Sequence, residues 1–132
     1  MLSERRGGML LRGIRGAVSV PQNTRSAIFA ATTDLLSQII ARNQLDPEDM
    51  VAVFFTMTED LNAAFPAEAA RSMGLQQVPL LCSREVTVAG SVPSIIRVLL
   101  LVNRTGPLAS VRHVYLGEAR RLRPDLGESA IT

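Results

Sequence analysis

The stretch "PSIIRVLLLVN", Pro93 to Asn103, decides the fold. Two isoleucines, one arginine and then five apolar residues in a row read as a strand buried on both faces. Side chains alternate along a strand, so Ile95, Arg97, Leu99 and Leu101 share one face, and Ile96, Val98, Leu100 and Val102 share the other. Arg97 is thus a single charge at a position otherwise apolar. Burying an unpaired guanidinium costs roughly several kcal/mol, so this residue needs a partner, a ligand or both.

Working outward, the flanking segments alternate between strand and helix signals. Residues 1–8 read as a flexible N-terminal extension, 9–126 as one domain and 127–132 as a C-terminal tail. Met9 to Val20 reads as a first strand ending at Pro21. Asn23 or Thr24 can cap a helix to about Asn43, with Ile28, Leu35, Leu36, Ile39 and Ile40 at helical spacing. "DPED" at 46–49 is a helix start or turn, and "MVAVFFTM" at 50–57 a second buried strand. "FPAEAARSMG" at 65–74 is a short helix stopped by Gly74. "QVPLLC" at 77–82 reads as the third strand, 94–103 as the fourth and "VRHVYLGEARRL" at 111–122 as the fifth. The class expected is α/β or α+β: a five-stranded mixed sheet with two main helices. Two helices cannot cover both faces of five strands, so exposed sheet is expected to associate with further copies.

Composition narrows the chemistry. Nearly half of the 132 residues are apolar (47%), enough for one real core. All 14 basic residues are arginine and the net charge is only +2, too small an excess to imply nucleic acid. One tyrosine and four phenylalanines make base-stacking platforms unexpected. An arginine-only cation set suits a small anion, because the planar fork pairs with carboxylates through two bonds. Cys82 is the only cysteine and His113 the only histidine. No intrachain disulfide is possible, and no metal site is expected. The start lacks an apolar core of signal-peptide length, and the longest apolar run is far too short to span a bilayer, so a soluble cytoplasmic protein is expected.

Several residues carry two readings each. Arg97 and Glu85 form either a purely structural pair or part of a site. Arg15, in "LLRGIRGAV" between Gly13 and Gly16, is either an edge charge or an anion binder, and the glycines let a backbone or ligand come close. Arg71 can pair with Glu68 one helical turn earlier. Cys82 reads first as a small buried hydrophobe, His113 as structural, and Tyr115 as core filler or contact residue.

Five motifs in order are more specific than any one of these residues: "RGIRGA" at 12–17, "DLNAAFPAEAAR" at 60–71, "VPLLCSRE" at 78–85, "IRVLLLV" at 96–102 and "RHVYLGEARRLRPDL" at 112–126. Together they resemble the monofunctional chorismate mutases of the trimeric, pseudo-α/β-barrel type found in bacilli and other bacteria. The resemblance implies a homotrimer with sites between subunits. It implies a cofactor-free Claisen rearrangement of chorismate to prephenate, in phenylalanine and tyrosine biosynthesis. By motif, Arg97 resembles the donor to the ether oxygen of the breaking bond, and Glu85 with the Cys82 thiol the pair around the ring hydroxyl. Arg15 and Tyr115 resemble carboxylate contacts. The stretch Leu81, Cys82, Ser83, Arg84 and Glu85 resembles a pocket wall. Phe65 and Arg71 resemble residues reaching in from a neighbouring subunit, and Arg123 an arginine at the pocket mouth. Two positions depart from a well-known member of the family: Glu68 replaces a rim lysine, and Leu81 a threonine. An imine-deaminase-like trimer, or an inactive structural or regulatory trimer, are the alternatives to the enzyme.

The chemistry suits the chain. A pericyclic rearrangement needs no nucleophile or base. It needs a compact substrate shape and a fixed cation where negative charge builds on the ether oxygen. Apolar walls that exclude water strengthen both effects.

Overall fold

The computed structural model describes residues 8–125; of the expected extension over 1–8 all but Gly8, and the whole of the expected tail over 127–132, lie outside the described residues. Five strands form one mixed sheet: β1 (Leu10–Ser19), β2 (Met50–Met57), β3 (Leu80–Arg84), β4 (Ile95–Arg104) and β5 (Val114–Leu116). Their order is β3-β2-β4-β1-β5. β4 runs antiparallel to both β1 and β2, whereas β1–β5 and β2–β3 are parallel pairs. Two helices, α1 (Arg25–Asn43) and α2 (Pro66–Ser72), complete the frame.

Both helices lie on one face, because only that face of each strand carries a full apolar set. Ile14, Val18, Val53, Phe55, Ile96, Val98, Leu100, Val102 and Val114 are buried there against Ile28, Leu35, Leu36 and Ile39 of α1. Gly16 sets the approach distance. A Cβ at that position would lie 2.7 Å from the Ile39 side chain, 3.0 Å from Val98 and 3.2 Å from Leu35. The close approach anticipated at this glycine is therefore made by α1, not by a ligand. Thr24 is the residue that caps α1, its hydroxyl accepting from the Ala27 N–H at 3.1 Å. Asn23 instead ties α1 to the loop before α2: its carbonyl accepts from the Asn62 and Ala63 N–H groups at 3.0 and 3.1 Å.

At the far end of α1, buried Asn43 joins the helix to the approach of β5. Its amide donates to the Ile39 carbonyl at 2.9 Å and the Arg112 carbonyl at 2.8 Å, and its oxygen accepts the Arg112 N–H at 2.8 Å. On the other side of β5, the Ser19 hydroxyl accepts the Glu118 N–H at 2.9 Å.

The structure corrects three expectations. The fifth strand is three residues, not twelve: Gly117 at φ 62 turns the chain into a 3₁₀ segment, Gly117–Arg121. The third strand starts at Leu80 and runs through Ser83 and Arg84, because Pro79 offers no N–H and the pairing with β2 continues to Met57. β4 is fully covered on one face only within the chain: Ile96, Val98, Leu100 and Val102 are buried, whereas on the other face Ile95 is buried with Ala17, Tyr115 and Ala119 but Leu99 is 42% exposed. From Leu99 across Phe54 to Leu81 that other face is open, as the shortage of helix implied. Among the described residues, no helix is long and apolar enough to cross a membrane.

Candidate active site

Register places the site residues. Arg97 on β4 lies opposite Thr56 on β2 and Ala17 on β1. Ala17 in turn faces Tyr115 on β5, and Thr56 faces Ser83 on β3. The row Tyr115–Ala17–Arg97–Thr56–Ser83 therefore crosses the whole sheet on its open face. The next row holds Arg15, Leu99, Phe54 and Leu81. Four strands thus bring Arg15, Arg97, Tyr115, Leu81 and Ser83 to one face of the sheet.

The puzzle of Arg97 resolves on this surface. Its Nε lies 3.1 Å from Glu85 Oε2, with the two side chains 49% and 22% exposed. The same carboxylate oxygen accepts from the Thr56 hydroxyl at 2.7 Å. Glu85 is itself fixed by its N–H, which donates to the Met57 carbonyl at 2.8 Å. The guanidinium is paired but half open, so it avoids the cost of full burial and keeps donors for a ligand. It borders a cavity of about 190 Å³ lined with Glu85, Thr58, Val92, Ile95 and Leu122.

A second cation cluster surrounds Tyr115. Burial pushes its phenol pKa up, and the positive charges of Arg15, Arg123 and Arg97 oppose that rise. Tyr115 is 6% exposed and packs with Ala17, Ile95 and Ala119. Arg123 is held in place by Asp125, through bonds of 2.8 and 3.0 Å. Arg15 has no carboxylate partner among the described residues, and its backbone N–H donates to His113 Nδ1 at 2.9 Å. That bond places the histidine proton on Nε2. Burial, then Arg15 and Arg123, lower the His113 pKa, so the ring is neutral at pH 7 and acts as an acceptor that holds β1.

Cys82 departs from the expected grouping. It pairs with buried Phe55, so its side chain points to the helix-covered face, opposite to Arg97. Burial raises the thiol pKa, partly offset by the Ala67 backbone and the Arg71 charge. What Cys82 offers the open side is backbone. The β2–β3 ladder uses Pro79 and Glu85, so alternation turns the Cys82 N–H and carbonyl to the sheet edge. Arg84 stands on that same edge strand, exposed.

Phe65 and Arg71 do not meet Arg97 within the chain. Phe65 precedes α2 and is 62% exposed, and Arg71 projects from α2 into solvent. The expected Arg71–Glu68 pair is absent: Glu68 binds Arg25 of α1, both carboxylate oxygens lying 3.3 Å from Nη1. Sequence reading passed over Arg25, Thr56 and Asp60. The signal at Thr56 is its place as the polar residue in phase with Phe54 on an otherwise apolar strand. Asp60 clamps the entry to β4. It accepts from the Ser94 N–H at 3.0 Å and the Ser94 hydroxyl at 3.1 Å, holding Ser94 at φ 56.

Comparison with known proteins agrees with this geometry. Residues 11–126 match the family model for chorismate mutase type I. Chorismate mutase AroH of Thermus thermophilus is 56% identical over 122 residues, 92% of this chain and 99% of that protein. Chorismate mutase AroH of Bacillus subtilis is 44% identical over 119 residues, 89% of this chain and 94% of that protein. A solved structure of a chorismate mutase from Clostridium thermocellum superimposes with a TM-score of 0.81 at 42% identity, covering 83% of this chain and 97% of that one. An arginine on an open sheet face, a carboxylate set against it and near-complete coverage by such relatives lead to one assignment: this chain belongs to the type I chorismate mutase family.

Proposed function

We propose that the chain converts chorismate to prephenate, as a cytoplasmic homotrimer, at sites formed where the open sheet face of one subunit meets α2 of the next. The observation that carries this reading is Arg97 set against Glu85 beside a cavity, with Arg15 and Tyr115 on the same face of the sheet. A dianion with one hydroxyl complements that set.

The roles follow from charge and position. Arg15 and Arg123, with Tyr115, take substrate carboxylates and hold the side chain folded over the ring. Glu85 accepts the ring hydroxyl, joined by the edge backbone of Cys82. As the C–O bond breaks ahead of C–C closure, charge grows on the ether oxygen, and the Arg97 guanidinium donates to it. Glu85 and Thr56 fix that guanidinium beforehand, so little reorganisation accompanies the step. No proton leaves the substrate and no covalent intermediate forms.

Trimerisation supplies what one chain lacks. Leu99, Phe54 and Leu81 are exposed on the open face, at 42%, 38% and 59%. Covering them with a second copy would bring Phe65 and Arg71 of a neighbour toward Arg97. The test is the fall of chorismate absorbance with purified protein. Turnover without added cofactor is expected; an inactive trimer would reverse the reading in favour of a scaffold.

A further inference from the structure

Glu68 poses a problem for this site. It lies three residues before Arg71 on α2, within reach on the same helical face. An unengaged Glu68 would pair with Arg71 and compete with a substrate carboxylate. The structure instead engages Glu68 elsewhere. The Arg25 Nη1 lies 3.3 Å from both of its carboxylate oxygens, and the Arg25 guanidinium stacks 4.4 Å over the Phe29 ring. Stacking on Phe29 limits the rotamers of Arg25, so the pair loses less entropy than an ordinary surface ion pair. Arg71 is left with no carboxylate partner among the described residues. Arg25, Phe29, Glu68 and Arg71 line one shallow depression.

We propose that Arg25 is a positioning residue: it draws Glu68 away from Arg71 and so keeps the Arg71 guanidinium available to substrate carboxylate. The inference rests on the reading of Arg71 as a contact to a neighbouring subunit's substrate. Arg25 itself touches no reacting atom. Its side chain is 60% exposed, so replacing it should cost no more than about 1 kcal/mol.

The experiment is steady-state kinetics on four variants: Arg25→Gln, Glu68→Gln, the double variant, and Arg71→Ala. In Arg25→Gln the released Glu68 turns to Arg71, and KM rises about 2–5-fold while kcat stays within about 2-fold, the range of one exposed pair. Adding Glu68→Gln returns KM to the wild-type value. At about 1 M salt the rise disappears, because the screening length falls to about 3 Å. An unchanged KM in Arg25→Gln overturns the proposal, and so does an equal rise in the double variant, which would mean that Arg25 acts by its own charge or by packing. Arg71→Ala separates the two layers. A raised KM there with a silent Arg25→Gln removes only this inference, whereas a silent Arg71→Ala removes the substrate contact beneath it as well.

Discussion

Replacing Arg97 by glutamine keeps an N–H donor at the position of Nε and removes the charge together with the two outer nitrogens. The structure separates what this does to stability from what it does to rate. The wild-type pair joins Arg97 Nε to Glu85 Oε2 at 3.1 Å with the Arg97 side chain 49% exposed. A pair that open contributes about 0.2–1 kcal/mol, and Glu85 keeps its bond from Thr56. The unfolding temperature should therefore shift by no more than about 4 °C. The rate term is larger. One preorganised donor at a developing oxyanion contributes about 2.7–4 kcal/mol, so kcat should fall about 10²–10³-fold. Chorismate disappearance read by absorbance, beside a thermal melt of the same sample, measures both. Arg97→Ala should match the loss. Turnover near wild type in either variant, or a rate loss explained by unfolding at the assay temperature, would refute the electrostatic role.

Three further outcomes follow from the packing and the charges. Gly16→Ala drives a methyl into Ile39, Val98 and Leu35; a loss of about 1–3 kcal/mol, or roughly 3–10 °C in the melt, is expected, with kcat unchanged for the folded fraction. His113 has a lowered pKa and stays neutral, so kcat should be flat around neutral pH. Below about pH 6.5 the unfolded chain takes up the proton first. Stability should then fall with pH, and His113→Asn should flatten that slope in pH-dependent melts. Leu99→Asp places a charge on the open face and should yield monomers by sedimentation; a trimer that survives it would place the interface elsewhere.

Much of this was legible in the sequence. Arg97 announced itself as a charge in an apolar run, and Glu85 proved to be its partner. The order and type of the elements followed from alternation, caps and proline positions, whereas strand order and register came only with the structure. Four things were not legible, each for a physical reason. Five consecutive apolar residues in β4 look alike whether the second face is covered by the same chain or left for another. "VRHVYLGEARRL" continues an apolar alternation past Gly117, where a positive φ ends the strand. The facing of Cys82 depends on which phase of "LLCSR" pairs with buried Phe55, and a motif match does not state a phase. Arg25 escaped notice because its partner lies 43 positions away.

The shortness of β5 has a mechanical consequence. Three paired residues make a short ladder, so beyond the burial of Val114, Tyr115 and Leu116 this strand is held by two polar brackets, Asn43 upstream and Ser19 downstream. Such brackets can open singly, at a free energy below that of global unfolding. Warming or mild denaturant should loosen this margin of the sheet first, releasing the Arg112 and Glu118 amides to exchange with deuterium while the β1–β4 centre stays protected. Catalytic decline would then precede any loss of helical signal, and the enzyme would fail from its rim inward.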